Sequence, residues 1–242
     1  MLDELLLLSG NDIPFYKAQI SIHQPQLKEI GYIGEENFHI GSHFLIFSKD
    51  NLPSEDKVNL EDQSDFDIFM SIMNSREQAK HKVDAMMVLA LLFPKARIQV
   101  EKDKILLQLD EYSSSINKDN YDEFKSIINE IFCLNSSESD SFNPADDIAK
   151  KIAEKIKKGQ QKRQKKKEGE VGKLSIYSQY VSVLSVGLKK DMNELLKYTV
   201  YQIRDEYKRF TLKQDFDIYL KAKLAGAKDL EEVENWMENI HP

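Results

Sequence analysis

Between Ile156 and Val171 the chain has no apolar side chain, while Lys157, Lys158, Lys162, Arg163, Lys165, Lys166 and Lys167 stand there with no acidic residue among them. A helix without an apolar stripe has nothing to bury, and Gly159, Gly169 and Gly172 lower helix propensity further. Residues 157–172 are therefore expected to be a solvated, mobile connector. That expectation divides the chain into an acidic α+β domain (1–143), a basic helix and linker (144–173) and an aromatic-rich all-α domain (174–242), the two domains packing independently.

Charge follows the same division. Residues 1–143 carry 13 Lys and Arg against 25 Asp and Glu, residues 144–173 carry 11 against 5, and residues 174–242 carry 10 against 11. The whole is −7 with 41% hydrophobic residues, enough to build real cores. A single cysteine, Cys133, excludes a disulfide framework within the chain and any multi-cysteine metal site, and fits a reducing compartment. The leucines at 5–8 follow Asp3 and Glu4, where a signal peptide needs basic residues, and no apolar run approaches the ~18 residues of a membrane span. A cytoplasmic protein without a membrane contact is expected.

In the first domain, alternation from Phe15 to Ile22 reads as a short strand ended by Pro25. Gln26 to Ile30 and Glu35 to Phe47 read as helices, with Gly41 weakening the second. Phe66, Phe69, Met70 and Met73 recur at helical spacing. Ser75 and Gln78 form a capping box for a helix running through Val83, Met86, Met87, Ala90 and Leu91 to Pro94. "RIQVEKDKILLQL" reads as a hairpin turning near Lys102 and Asp103, and Tyr121 to Cys133 as an amphipathic helix. The fold class is thus α+β, mostly helical.

Asn143 and Pro144 open a helix carrying Ile148, Ile152 and Ile156, with Asp146 and Asp147 at its positive end. After the connector, Tyr177, Tyr180, Leu184 and Leu188 share a helical face. Asp191 to Glu194 resembles a capping box, and Tyr198 to Leu224 forms a long helix ended by Gly226. A short terminal helix is expected over "EEVENWMENI".

No pattern here names a reaction. There is no Gly-rich phosphate loop, nucleophile elbow or Cys/His pairing, so neither catalysis nor a cofactor is expected. Glu35, His39 and His43 at i, i+4, i+8 would line one helical face as metal ligands, but the spacing matches no zinc signature, and surface residues are the expected reading. The basic run could grip phosphates through counterion release; it lacks the interleaved aromatics of a base-stacking surface, so a tether is the first reading and nucleic-acid binding by 157–167 the alternative. The last part is the richest in interface residue types, with nine aromatics in 69 residues. Tyr201, Tyr207, Phe210, Phe216, Tyr219, Trp236 and Met237 are its candidate partner-binding residues.

Two stretches, "ISIHQPQLKEIGYIGEENFHIGSHFLIFSKDNL" (20–52) and the segment from Tyr177 to Ile240 with "DIYLKAKLAGAKD" and "NWM", resemble late proteins of tailed phages of Gram-positive hosts, the tail assembly chaperones. The resemblance covers under half the chain and carries no catalytic motif. It implies a non-enzymatic protein of the host cytoplasm, absent from the mature virion, that keeps the helical tape-measure protein soluble until tube subunits polymerise. The tape-measure protein is then the implied partner, with tail tube subunits and a second copy of the chain as further ones. Several such chaperones are made in short and long forms by frameshifting, which an acidic body joined by a Lys-rich connector to an aromatic domain would suit. Physically the role needs an adaptable apolar surface, which aromatics and methionines supply, and negative charge for solubility.

Overall fold

The computed structural model describes residues 2–49, 63–75, 79–134, 175–227, 233 and 235–237. These residues show a mostly helical α+β fold with two small antiparallel sheets. Helix α1 (Glu4–Ser9) is capped by Asp3, whose carboxylate accepts from the Leu5 amide, and ends at Gly10 with φ 70°. Strands β1 (Ile13–Phe15) and β2 (Ile20–Ile22) pair with Ile13 opposite Ile22 and Phe15 opposite Ile20. Here the single strand expected over 15–22 is corrected. A 3-10 turn at Tyr16–Ala18 and a left-handed Gln19 (φ 55°) reverse the chain, and turn and strand look alike in an apolar/polar alternation this short.

Helices α2 (Leu27–Ile33) and α3 (Glu35–Leu45) follow, hinged at Gly34 with φ 84°. Helix α4 (Asp65–Asn74) starts at a capping box between Ser64 and Asp67 and buries Phe66, Ile68, Phe69, Met70 and Met73. Helix α5 (Ala79–Leu92) is crossed by α3 at Gly41, where a Cβ would lie 2.4 Å from the Asp84 carbonyl oxygen. The glycine that weakened α3 on propensity is thus what lets two backbones touch. The helix runs through the expected residues, but its buried face is Asp84, Ala85, Val88, Leu89 and Leu92, whereas Val83 and Ala90 are exposed and Met86, Met87 and Leu91 only partly covered. From Ala85 to Leu92 this helix is apolar all round, so the Gly41 crossing, not periodicity, selects the face.

Strands β3 (Arg97–Val100), β4 (Ile105–Gln108) and β5 (Ser113–Ile116) make the second sheet in that order, with Val100 opposite Ile105 and Ile105 opposite Ile116. The hairpin is as expected; β5, three serines and an isoleucine, has no strand signature. Helix α6 (Tyr121–Phe132) buries Tyr121, Phe124, Ile127, Ile128, Ile131 and Phe132, the face its periodicity marks. Each such side chain taken from water is worth about 1.5–3 kcal/mol. The Tyr121 hydroxyl donates to the Leu45 carbonyl at 3.1 Å, and the Phe38 and Phe132 rings meet edge-on at 4.7 Å.

The remaining helices are α7 (Ile176–Leu188), α8 (Met192–Leu195), capped by Asp191, and α9 (Val200–Leu224), whose capping box joins Thr199 and Gln202. They do not pack independently of the first part. Tyr177, Val181, Leu184, Leu195, Val200, Tyr201 and Ile203 belong to the same core cluster as Phe38 and Phe132. Polar ties join the same surfaces. The free amides of Leu27 and Lys28 at the start of α2 donate to the carbonyls of Tyr198 and Leu196 at 2.9 Å each, Gln202 donates to Leu8 O at 2.7 Å, and Arg204 to Cys133 O at 2.9 Å. Residues 76–78 of the expected capping box, the helix opening at Asn143 and the connector 157–172 lie outside the described residues, as do both expected domain boundaries.

Candidate interaction surface

Helix α9 carries two apolar stripes on roughly opposite sides, given about 100° of turn per residue. The first, Val200, Ile203, Tyr207 and Phe210, faces the body; its next members would be Gln214, Asp217 and Lys221, so it ends in polar residues. Phe210 is its last anchor, lying against Gly187 of α7, where a Cβ would come within 2.3 Å of the ring. The second stripe, Leu212, Phe216, Tyr219, Leu220 and Leu224, starts where the first stops. Leu220 is 41% and Leu224 87% exposed, and Ile218 beside them 62%.

About 20 Å of helix therefore continues past its packed half. Isolated helices of this length are marginal, but this one extends a turn already nucleated by the core, and Lys213 and Asp217 (3.5 Å) pair along it. Lys223 sits 5.4 Å from the Tyr219 ring centre, a contact that adds local support.

The seven candidate partner-binding residues separate on this geometry. Tyr201 is buried and belongs to the core, so as a partner contact it is corrected. Tyr207 stacks on Tyr180 with ring centres 4.2 Å apart, and Phe210 packs on Gly187; both are half-buried. Phe216 and Tyr219 are half-exposed on the second stripe. Trp236 and Met237 lie in a turn, and the Trp236 carbonyl accepts from Arg209 Nη1 at 3.3 Å, so the chain end returns to the middle of α9. Met237 is exposed and Trp236 half-buried. Lys157, Lys158, Lys162, Arg163, Lys165, Lys166 and Lys167 fall outside the described residues.

The structure gives Glu35, His39 and His43 other work than metal binding. The Glu35 carboxylate accepts from the Ser175 hydroxyl, the Ile176 amide (2.7 Å) and the Tyr177 amide (3.4 Å), closing the N-terminus of α7 from another helix. His39 stacks on Tyr177 at 5.5 Å. His43, with His39, His81, Ile40 and Phe44, rims an open depression of about 430 Å³. Burial, and then the neighbouring His39, push the His43 pKa below its ordinary value. Among the described residues no three His, Cys, Asp or Glu side chains come together as a metal site, and no helix is long and apolar enough to cross a membrane.

One cluster had no signal in the sequence. His23 places Nδ1 2.9 Å from Asp12 and Nε2 3.2 Å from Glu29, at the edge of a cleft of about 250 Å³ that Leu109 and Tyr112 also line. Each ring nitrogen thus faces a carboxylate, which fixes the orientation of the imidazole. The cluster ties the turn before β1 to the start of α2, where Glu29 also accepts the Gln26 amide at 2.7 Å.

The family model described as the YomV second domain matches residues 164–241, which begin in the basic run and include α7, α8 and α9. This is a phage-derived domain, in keeping with a phage protein. Comparison with curated proteins and with solved structures gave no match.

Proposed function

We propose that the chain is a non-enzymatic tail assembly chaperone that holds the tape-measure protein soluble in the host cytoplasm during phage tail assembly. The observation that carries the reading is the second stripe of α9. A helix kept rigid by the core projects Phe216, Tyr219, Leu220 and Leu224 where none of them joins the core cluster. Such a ridge suits a long amphipathic helix, which buries its own apolar positions against it at i, i+3, i+4 and i+7. The phage-derived domain over 164–241 supports the same setting. The alternative, nucleic-acid binding through 157–167, gains no support from the described residues.

Co-expression with the tape-measure protein of the same phage tests this. The tape-measure protein should stay in the supernatant with the wild-type chain and precipitate with the Phe216→Ser/Leu220→Ser variant, whose unfolding midpoint should match wild type because neither residue is in the core. Equal precipitation with and without the wild-type chain overturns the proposal. Tight DNA or RNA binding that falls steeply with salt, and is lost when the lysines at 157–167 are neutralised, would favour the alternative.

A further inference from the structure

The charged side chains that stand within the second stripe of α9 are both cations. Counting about 100° per residue, the side of residues 212–224 within about 90° of Phe216 holds the five apolar residues of the stripe and two charged ones, Lys213 and Lys223. Asp215 and Asp217 fall just past its two edges. Asp217 lies 3.5 Å from Lys213, but the side chains are 41% and 47% exposed, and a pair so exposed holds the lysine weakly. Lys223 stands over the Tyr219 ring in the last turn of the helix. Arg209, one turn before Lys213, faces the same side, with Asp205 at 3.3 Å. The two lysines are ten residues apart in the chain, about 15 Å along the axis.

We infer that the stripe selects a partner helix whose apolar positions are flanked by Asp or Glu, and that Lys213 and Lys223 do the selecting. Such selection rests on the preceding reading of the stripe as the docking surface. On a helix laid along α9, acids ten or eleven residues apart lie about three turns from each other and reach both lysines, while the apolar residues between them meet Phe216 and Leu220. A second copy of the chain is a poor occupant. The antiparallel register that sets Leu212 against Leu224 and Phe216 against Leu220 also sets Lys213 of each chain against Lys223 of the other. A basic segment meets the same repulsion. The rest of the domain does not reverse this choice, since residues 174–242 carry 10 Lys and Arg against 11 Asp and Glu, and exposed charges more than about 8 Å away are screened at physiological salt.

Two labelled synthetic peptides test the selection on the full chain by fluorescence anisotropy. Both repeat Leu at i, i+3, i+4 and i+7; one carries Glu and the other Lys at the flanking positions. At low salt the Glu peptide should bind about tenfold more tightly, because two contacts, each switched between attraction and repulsion, change affinity a few-fold apiece. Raising salt to about 1 M should shrink the gap to about twofold or less. The Lys213→Glu/Lys223→Glu variant should reverse the order with an unchanged unfolding midpoint, as both lysines are exposed. Equal affinity for the two peptides at low salt, or no binding of either, overturns the selection. So does a concentration-dependent dimer of the full chain that Phe216→Ser/Leu220→Ser abolishes, which would give the stripe to a second copy. If the peptides bind equally and both are lost in Phe216→Ser/Leu220→Ser, the selection falls while the stripe stands as a docking surface. If the order reverses as expected but the Lys213→Glu/Lys223→Glu chain still keeps the tape-measure protein in the supernatant, the selection stands, and the assignment of this stripe to the tape-measure protein falls.

Discussion

Replacing Gly41 by Ala should destabilise the fold, although helix propensity alone predicts the reverse. Alanine in place of glycine inside a helix gains about 1 kcal/mol. Against that, the new Cβ would lie 2.4 Å from Asp84 O, 2.7 Å from Asp84 C and 2.7 Å from Val88 Cγ2. Ordinary contact needs roughly 1 Å more, and the obstacle is a helix backbone that cannot rotate away, so α3 and α5 must part along the face bearing Leu45, Ala85, Val88 and Leu89. Overpacking of this kind costs about 1–3 kcal/mol, and a backbone obstacle places it at the upper end. The net is about 2 kcal/mol of destabilisation, or a melting temperature about 4–8 °C lower for a chain of this size. Gly31 in α2 is the control, because a Cβ there meets nothing within 4 Å. Gly31→Ala should raise the melting temperature by about 1–3 °C. Thermal unfolding followed by circular dichroism reads both, and a Gly41→Ala protein as stable as Gly31→Ala would refute the backbone crossing.

Three further outcomes follow from the ties around the core. Glu35→Ala removes the acceptor of the Ile176 and Tyr177 amides and should cost about 1–2 kcal/mol in urea unfolding, with Glu35→Gln recovering part of it; wild-type stability in both would exclude the cap. Lys125 Nζ lies 2.7 Å from Asp65, and although burial opposes ionisation of Asp65, hydrogen bonds from Lys125 and the Lys49 amide, the Lys125 charge and Ser48 hold its pKa below 3.8. That stabilisation is present above the ordinary value and lost as pH falls through the lowered one. Lys125→Met should therefore flatten the acid side of the stability profile and cost about 1–2 kcal/mol near neutrality, after allowance for solvent screening; an unchanged acid limb would count against the pairing. His43 has the opposite sense of charge: its pKa is lowered, so the unfolded chain takes up its proton first, and stability is complete above 6.5 and falls below it. His43→Gln should remove that slope below about pH 6.5, measured as urea midpoints against pH; a slope that persists would assign it to another group.

Local pattern was enough where one face of an element is apolar and the other polar. Helix α6 is the clearest case, since Tyr121, Phe124, Ile127, Ile128 and Ile131 recur among Asp, Glu, Lys and Asn, and the 97–108 hairpin alternates around charged turn residues. The break of the inner stripe of α9 at Gln214 and Asp217 is equally written in the residues, and with it the existence of a projecting half bearing Phe216 and Tyr219. Other decisions belong to contacts between segments far apart in the chain. The buried face of α5 was set by Gly41 because its own residues from Ala85 to Leu92 are all apolar, and β5 exists because β4 offers its serines hydrogen-bond partners. Tyr201 and Phe216 are alike as letters, yet Tyr201 is buried and Phe216 half-exposed because α9 meets the body over its first turns only. Glu35, His39 and His43 kept a ligand-like spacing, but the start of α7 took the carboxylate. Periodicity encodes which side of an element avoids water; which of several apolar or polar sides finds a partner is decided by packing, where steric fit and unpaired backbone groups are settled across the whole fold.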